Sequence, residues 1–171
     1  ALRMYRVGTY PPSQKRPELS GSMVYWQIGA DQKPRSGKVI PYDNNGNRIK
    51  DLGAVWIHSI AYPGKSMEDL GIGQCLFGEH LLVGRPDDGV CVVESEKSAI
   101  ICAIWHPEFV WVATGGFHQF TLSNCQALTG RNVIVIPDVG MYEEWSAKAL
   151  DLDPMCNSIW VTDYLEALGM E

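Results

Sequence analysis

The feature that most constrains this chain is the rhythm of its second half, where short, continuously apolar runs alternate with segments of helical period after Gly89. The runs are Val90–Val93 (VCVV), Val110–Ala113 (VWVA), Val133–Ile136 (VIVI) and Ser158–Val161 (SIWV). Between them, helices are predicted from about Ser95 to Trp105 and from Met141 to Leu150, with a weaker one at about 121–128 and a closing one through Leu168. Strands that are apolar on both sides need cover on both faces, which a parallel sheet with crossover helices supplies. The expected fold over residues 89–171 is therefore α/β, a mostly parallel, Rossmann-like sheet flanked by helices.

Residues 1–88 read differently. The first 22 or so, with PPSQKRPELSGS among them, form an expected extended arm with little secondary structure. Met23–Ile28 and Lys38–Tyr42 are β-rich, and DNNGN at 43–47 supplies an Asn-Gly turn before Arg48. An apolar stretch (AVWIHSIAY), a Pro-Gly turn and a short helix around FGEHLL complete a small β-rich lobe ahead of the α/β domain.

The composition, 46% apolar and 20% charged, suits a core that needs neither metal nor disulfide. The five cysteines, at 75, 91, 102, 125 and 156, show no C-x-x-C spacing, and a reducing cytoplasmic setting is expected. The longest apolar run, IICAIW at 100–105, is far below the ~20 residues a membrane helix needs, so no membrane partner is expected. Charge is uneven. Residues 1–50 hold nine Lys and Arg against three acids, while 51–171 hold five against seventeen, so +6 and −12 sum to −6. A basic lobe can meet phosphates, but the acidic remainder argues against autonomous duplex binding. The competing reading is that Arg3, Arg6, Lys15, Arg16, Lys33, Arg35, Lys38, Arg48 and Lys50 form a solvated face.

In open parallel sheets, ligands bind beyond the carboxyl ends of the strands. Glu94 follows Val93, Thr114-Gly115-Gly116 follows Ala113, and Asp138 follows Pro137. Topology should carry the two carboxylates to one rim beside a glycine loop, a set of hard oxygen ligands for Mg²⁺ or Mn²⁺. Lys97 is placed to reach a phosphate, Gly115 and Gly116 to bring backbone amides to an anion, and His118 to bind phosphate or relay a proton. Glu96 reads as solvated; Glu143 or Glu144 either supplies a further carboxylate ligand or is solvated at the amino end of its helix; His58, His80 and His106 read as structural, and most of the six tryptophans as core.

Three of these segments resemble the Toprim motifs of bacterial and phage DNA primases. VCVVESEKSAIICA at 90–103 is similar to the strand that runs into Glu-Gly-x-x-Asp-Ala and a helix. VWVATGG at 110–116 resembles the next strand and glycine loop, and RNVIVIPDVG at 131–140 resembles the strand that delivers an Asp-x-Asp pair. Upstream, KVIPYDNNGNRIK, VWIHSI and CLFGEHLL match in order the subdomain that precedes Toprim, so the resemblance spans about residues 23–165. Three positions depart from it: Ser95 stands for Gly, Ser98 for Asp, and Gly140 for the second Asp, which removes one metal ligand.

The resemblance implies Mg²⁺- or Mn²⁺-dependent nucleotidyl or phosphoryl transfer in DNA replication, on a mobile element for instance. Glu94 would bind metal or act as acid and base, and Asp138 would bind metal. Single-stranded DNA or RNA primer and template and nucleoside triphosphates would be substrates, with a helicase or other replication protein as partner. Such primases carry an upstream zinc-binding domain and a downstream partner domain, so the sequence reads as an excised catalytic core. Two alternatives follow from it: a catalytically degenerate nucleic-acid or partner-binding module, and a Toprim-type nuclease.

Overall fold

The computed structural model describes residues 1–169. Its strands are β1 (Gly8–Thr9), β2 (Met23–Ile28), β3 (Pro34–Ile40), β4 (Val55–Trp56), β5 (Val90–Val93), β6 (Val110–Ala113), β7 (Asn132–Val135) and β8 (Ser158–Val161). Its α-helices are α1 (Ile57–Ala61), α2 (Glu96–Trp105), α3 (Tyr142–Leu152) and α4 (Tyr164–Ala167). The first four strands form an antiparallel sheet in the order β1-β2-β3-β4. The last four form a parallel sheet in the order β6-β5-β7-β8. The chain is thus mixed α/β, with its four-stranded parallel sheet flanked by helices.

Alternation along β5 explains why that run is apolar throughout. Val90 and Val92 enter one core with Val110, Val112, Val133 and Val135, roofed by Trp145, Ala149 and Leu152 of α3. Cys91 and Val93 enter the other, beneath Ala99, Ile100 and Ala103 of α2. The spacing of 145, 149 and 152 is one helical face, and Trp145 is wholly buried. Ser95 caps α2, its Oγ accepting from the Ser98 N–H at 3.4 Å.

The second core joins the two halves of the chain, since Tyr5, Tyr25, Ile40 and Phe77 belong to it as fully as Cys91 and Trp111 do. Phe77 exchanges two backbone hydrogen bonds with Ala113, at 2.9 and 3.0 Å, which extends the parallel sheet beyond β6. Tyr5 is completely buried, stacks on Phe77 with ring centroids 5.2 Å apart, and donates its hydroxyl to the Trp111 carbonyl at 2.7 Å. Gly78 makes this approach possible: at φ +86°, a Cβ there would meet the Tyr5 ring at 2.8 Å and the Trp111 carbonyl at 2.9 Å.

Several expectations need correction. The arm has little secondary structure, as expected, but it is tied down: Gly8 and Thr9 pair with Val24 and Met23, and a 3₁₀ turn spans Pro17–Leu19. Burial of the Tyr5 ring supplies the physical reason. The β2 partner begins at Pro34, and the DNNGN turn closes only a single bridge between Tyr42 and Arg48, with Asp43 Oδ1 accepting from the Asn45 and Asn47 amides. FGEHLL contributes a 3₁₀ helix, Glu79–Gly84, whose Glu79 carboxylate turns back to the Leu76 and Ala30 amides. No α-helix forms at 121–128. One helical turn closes from Cys125 to Thr121 and a 3₁₀ turn follows at Gln126–Leu128, because Thr121 and Asn124 side chains take up local backbone partners. Trp105 and Trp160 lie on the surface, 74% and 62% exposed, whereas Trp111 and Trp145 are core.

Candidate functional site

The strand order reverses between β5 and β7: the chain leaves β5 for β6 on one side, then crosses back to β7 and β8 on the other. Such a switch point opens a crevice at the carboxyl ends of the two strands. Register places both carboxylates there. Val93 pairs with Ala113 and Val92 with Val135, and the Ile136 amide donates to the Val92 carbonyl, so Glu94 and Asp138 emerge at neighbouring strand ends. Both line a cleft of about 280 Å³ together with Ser95, Glu96, Lys97 and Gly115. The opposite wall comes from the antiparallel sheet: Lys38, Ile40, Tyr42 and Arg48.

Loss of hydration and then the nearby Asp138 charge push the Glu94 carboxyl above its usual range, offset in part by the Phe117 amide and Lys38. Loss of hydration also raises Asp138. Lys38, a cation of the cleft wall, is already engaged elsewhere. Lys38 Nζ donates to Glu96 Oε1 at 3.1 Å and to the Gly115 carbonyl at 2.6 Å, and the paired side chains are only 11% and 8% exposed. Lys97 and Arg48 carry the remaining positive charge of the cleft. Lys97 Nζ lies 5.4 Å from the centroid of the Tyr42 ring and reaches the Gly46 carbonyl at 3.3 Å.

The glycine loop is shaped by this ion pair. Gly115 adopts φ +78°, and a Cβ would stand 2.9 Å from Glu96 Oε1, so the residue must be small for Lys38 and Glu96 to meet beneath it. Its own amide is spent on the Glu94 carbonyl at 2.8 Å. Gly116 and His118 do not line the cleft; His118 is exposed on a 3₁₀ turn beyond it. The positions expected to be functional thus divide: Glu94, Asp138, Lys97 and Gly115 come together, whereas Gly116 and His118 stand apart.

Sequence reasoning did not single out Tyr42, placed Lys38 and Arg48 only within a general basic lobe or solvated face, and read Glu96 as solvated, which the buried ion pair corrects. The available signal was Lys38 itself, a charge inside an otherwise apolar strand end (KVI). Of the histidines, His58 meets Ser36, His80 meets the Met4 carbonyl and His106 meets Glu108, in keeping with structural roles. All five cysteines are free. No helix among the described residues is long and apolar enough to cross a membrane.

Glu94 and Asp138 are two carboxylates at one rim of the cleft, and a hard ion that keeps most of its shell as water needs one or two protein carboxylates. No group of three or more His, Cys, Asp and Glu side chains that could hold a metal ion gathers among the described residues. Gly140 gives its amide to Glu166 Oε1 at 2.8 Å. Glu143 and Glu144 are exposed and outside the cleft.

Fold and site together define a two-sheet α/β protein with an acidic, cation-rimmed cleft at its topological switch point. The chain belongs to the family described as Domain of unknown function (DUF6371), whose model matches residues 1–139, a span that contains every residue lining the cleft. Comparison with curated proteins and with solved structures finds no match.

Proposed function

We propose that this chain is a Toprim-like catalytic core of the primase kind, which transfers nucleotidyl groups onto single-stranded DNA or RNA with Mg²⁺ or Mn²⁺ in DNA replication. The observation that carries this reading is the convergence of Glu94 and Asp138 in a cleft that Lys97 and Arg48 also border. Carboxylates for a metal beside cations for phosphate are what phosphoryl chemistry needs, because it proceeds by charge neutralisation and positioning. The cation, held by Glu94 and Asp138, supplies charge neutralisation at the reacting phosphate when bound. Lys97 and Arg48 grip the phosphate oxygens. In the alternative arrangement, in which Asp138 alone holds the cation, Glu94 accepts the proton of the attacking hydroxyl as diphosphate leaves. Lys38 and Glu96 position the Gly115 loop and touch no substrate. A helicase or another replication protein is the proposed partner, and the cytoplasm the proposed setting.

A second reading, a nucleic-acid-binding module that keeps the fold without the reaction, is favoured by one observation: Gly140 stands where the resembled motif carries its second carboxylate. Incubating the chain with a labelled single strand, Mg²⁺ and nucleoside triphosphates tests both. Longer products that vanish in Glu94→Gln support synthesis. Shortened strands indicate a Toprim-type nuclease, and a retained but unchanged strand indicates the binding module.

A further inference from the structure

Beside the charged cleft lies a second cavity of about 340 Å³ and opposite character. Its walls include Met23 and Tyr25 of β2 and Ile100 and Ile101 of α2. Tyr42 and Lys97 line both cavities, so the two adjoin along the ridge these side chains make. Tyr25 and Tyr42 join hydroxyl to hydroxyl at 3.1 Å, which satisfies their polar ends within the wall; Tyr25 is buried there and Tyr42 is partly exposed. Lys97 Nζ stands over the Tyr42 ring, at the point where charge gives way to apolar surface.

We infer that the apolar groove is a nucleobase subsite for a nucleotide whose phosphates occupy the cleft; this rests on the metal and phosphate reading of that cleft. Continuity selects the occupant. One ligand that fills both cavities must be polyanionic at one end, flat and apolar at the other, and cationically bridged between them. A nucleoside triphosphate has that order of parts, with a base to lie among Tyr42, Met23 and Ile101. Aromatic and aliphatic walls of this kind hold a base by its face and read little of its edge, so all four bases should enter. The subsite binds an unpaired nucleotide before any template selects it.

Titration calorimetry of the whole chain in Mg²⁺ compares inorganic triphosphate with adenosine triphosphate. The nucleotide should bind roughly tenfold tighter or better, as stacking one base contributes. Ile101→Asn, at a partly exposed groove position outside the cleft, should erase most of that advantage and leave inorganic triphosphate binding unchanged. Equal affinity of the two probes for wild type, or an advantage that survives Ile101→Asn, overturns the subsite while the phosphate cleft stands. Failure of both probes to bind overturns the cleft reading and the subsite with it. The comparison of two probes on wild type decides the matter even where the variant folds poorly.

Discussion

Lys38 and Glu96, 58 positions apart in the chain, form a nearly buried ion pair that fastens the antiparallel sheet to the rim of the parallel one. Lys38 lies on β3 and Glu96 opens α2, and the same ammonium also holds the Gly115 carbonyl. The cleft therefore has walls from both sheets, locked at one point. Removing either partner strands a charge in a site that water scarcely reaches, whereas removing both leaves no orphan.

Lys38→Met should therefore lower unfolding stability by about 3–5 kcal/mol, and Glu96→Leu by a similar amount. The double variant should lose far less than their sum. Urea denaturation of the four proteins measures the coupling, and additive losses would show that the pair does not lock the sheets.

Gly115→Ala should cost about 1–3 kcal/mol, since its φ of +78° strains any side chain and the new methyl presses on Glu96. In the Glu96→Leu background the contact with the carboxylate is gone and only backbone strain remains, so the loss should shrink. Thermal melts of the four proteins provide the check.

Tyr5→Phe keeps the ring stack on Phe77 but leaves the buried Trp111 carbonyl without its donor, a loss of about 1–2 kcal/mol. Tyr5→Ala removes the stack as well and should cost about 3–5 kcal/mol. Limited proteolysis near the amino terminus should follow the same order, since Tyr5 pins the arm.

Acid should loosen the arm through His80. Its ring is buried, its Nε2 donates to the Met4 carbonyl, and burial lowers its pKa. Between the lowered folded value and the ordinary one near 6.5, the unfolded chain binds the extra proton, so stability falls as pH falls through that window. The slope cannot exceed about 1.4 kcal/mol per pH unit for one proton. Denaturation midpoints for wild type at pH 7.5 and 5.5 should differ, and His80→Gln should narrow the gap.

Much of the parallel sheet was legible because its signal is local. β5, β6 and β8 begin and end at the residues where their apolar runs do, and β7 is displaced by one position, Asn132–Val135 against Val133–Ile136. The rim position of Glu94 and Asp138 follows from those runs plus the rule for strand ends. What stayed hidden depends on packing between distant segments. Nothing near Tyr5 marks it as core, because its partners Phe77 and Trp111 lie 72 and 106 positions away. Charge alone left Lys38 and Arg48 between a phosphate-meeting lobe and a solvated face and put Glu96 in water, since the cleft that gathers them exists only once the two sheets dock. The 121–128 segment misled for a different reason: its apolar spacing favours a helix, but Thr121 and Asn124 satisfy the backbone another way.

The most direct measurement is a titration of Mn²⁺ into the full chain, read by calorimetry and by the loss of free-ion paramagnetic resonance. One ion should bind per chain, Asp138→Asn and Glu94→Gln should each abolish or greatly weaken binding, and Glu143→Gln should leave it unchanged. Binding that persists in both carboxylate variants, or none in the wild type with nucleotide present, would contradict a metal site at this rim.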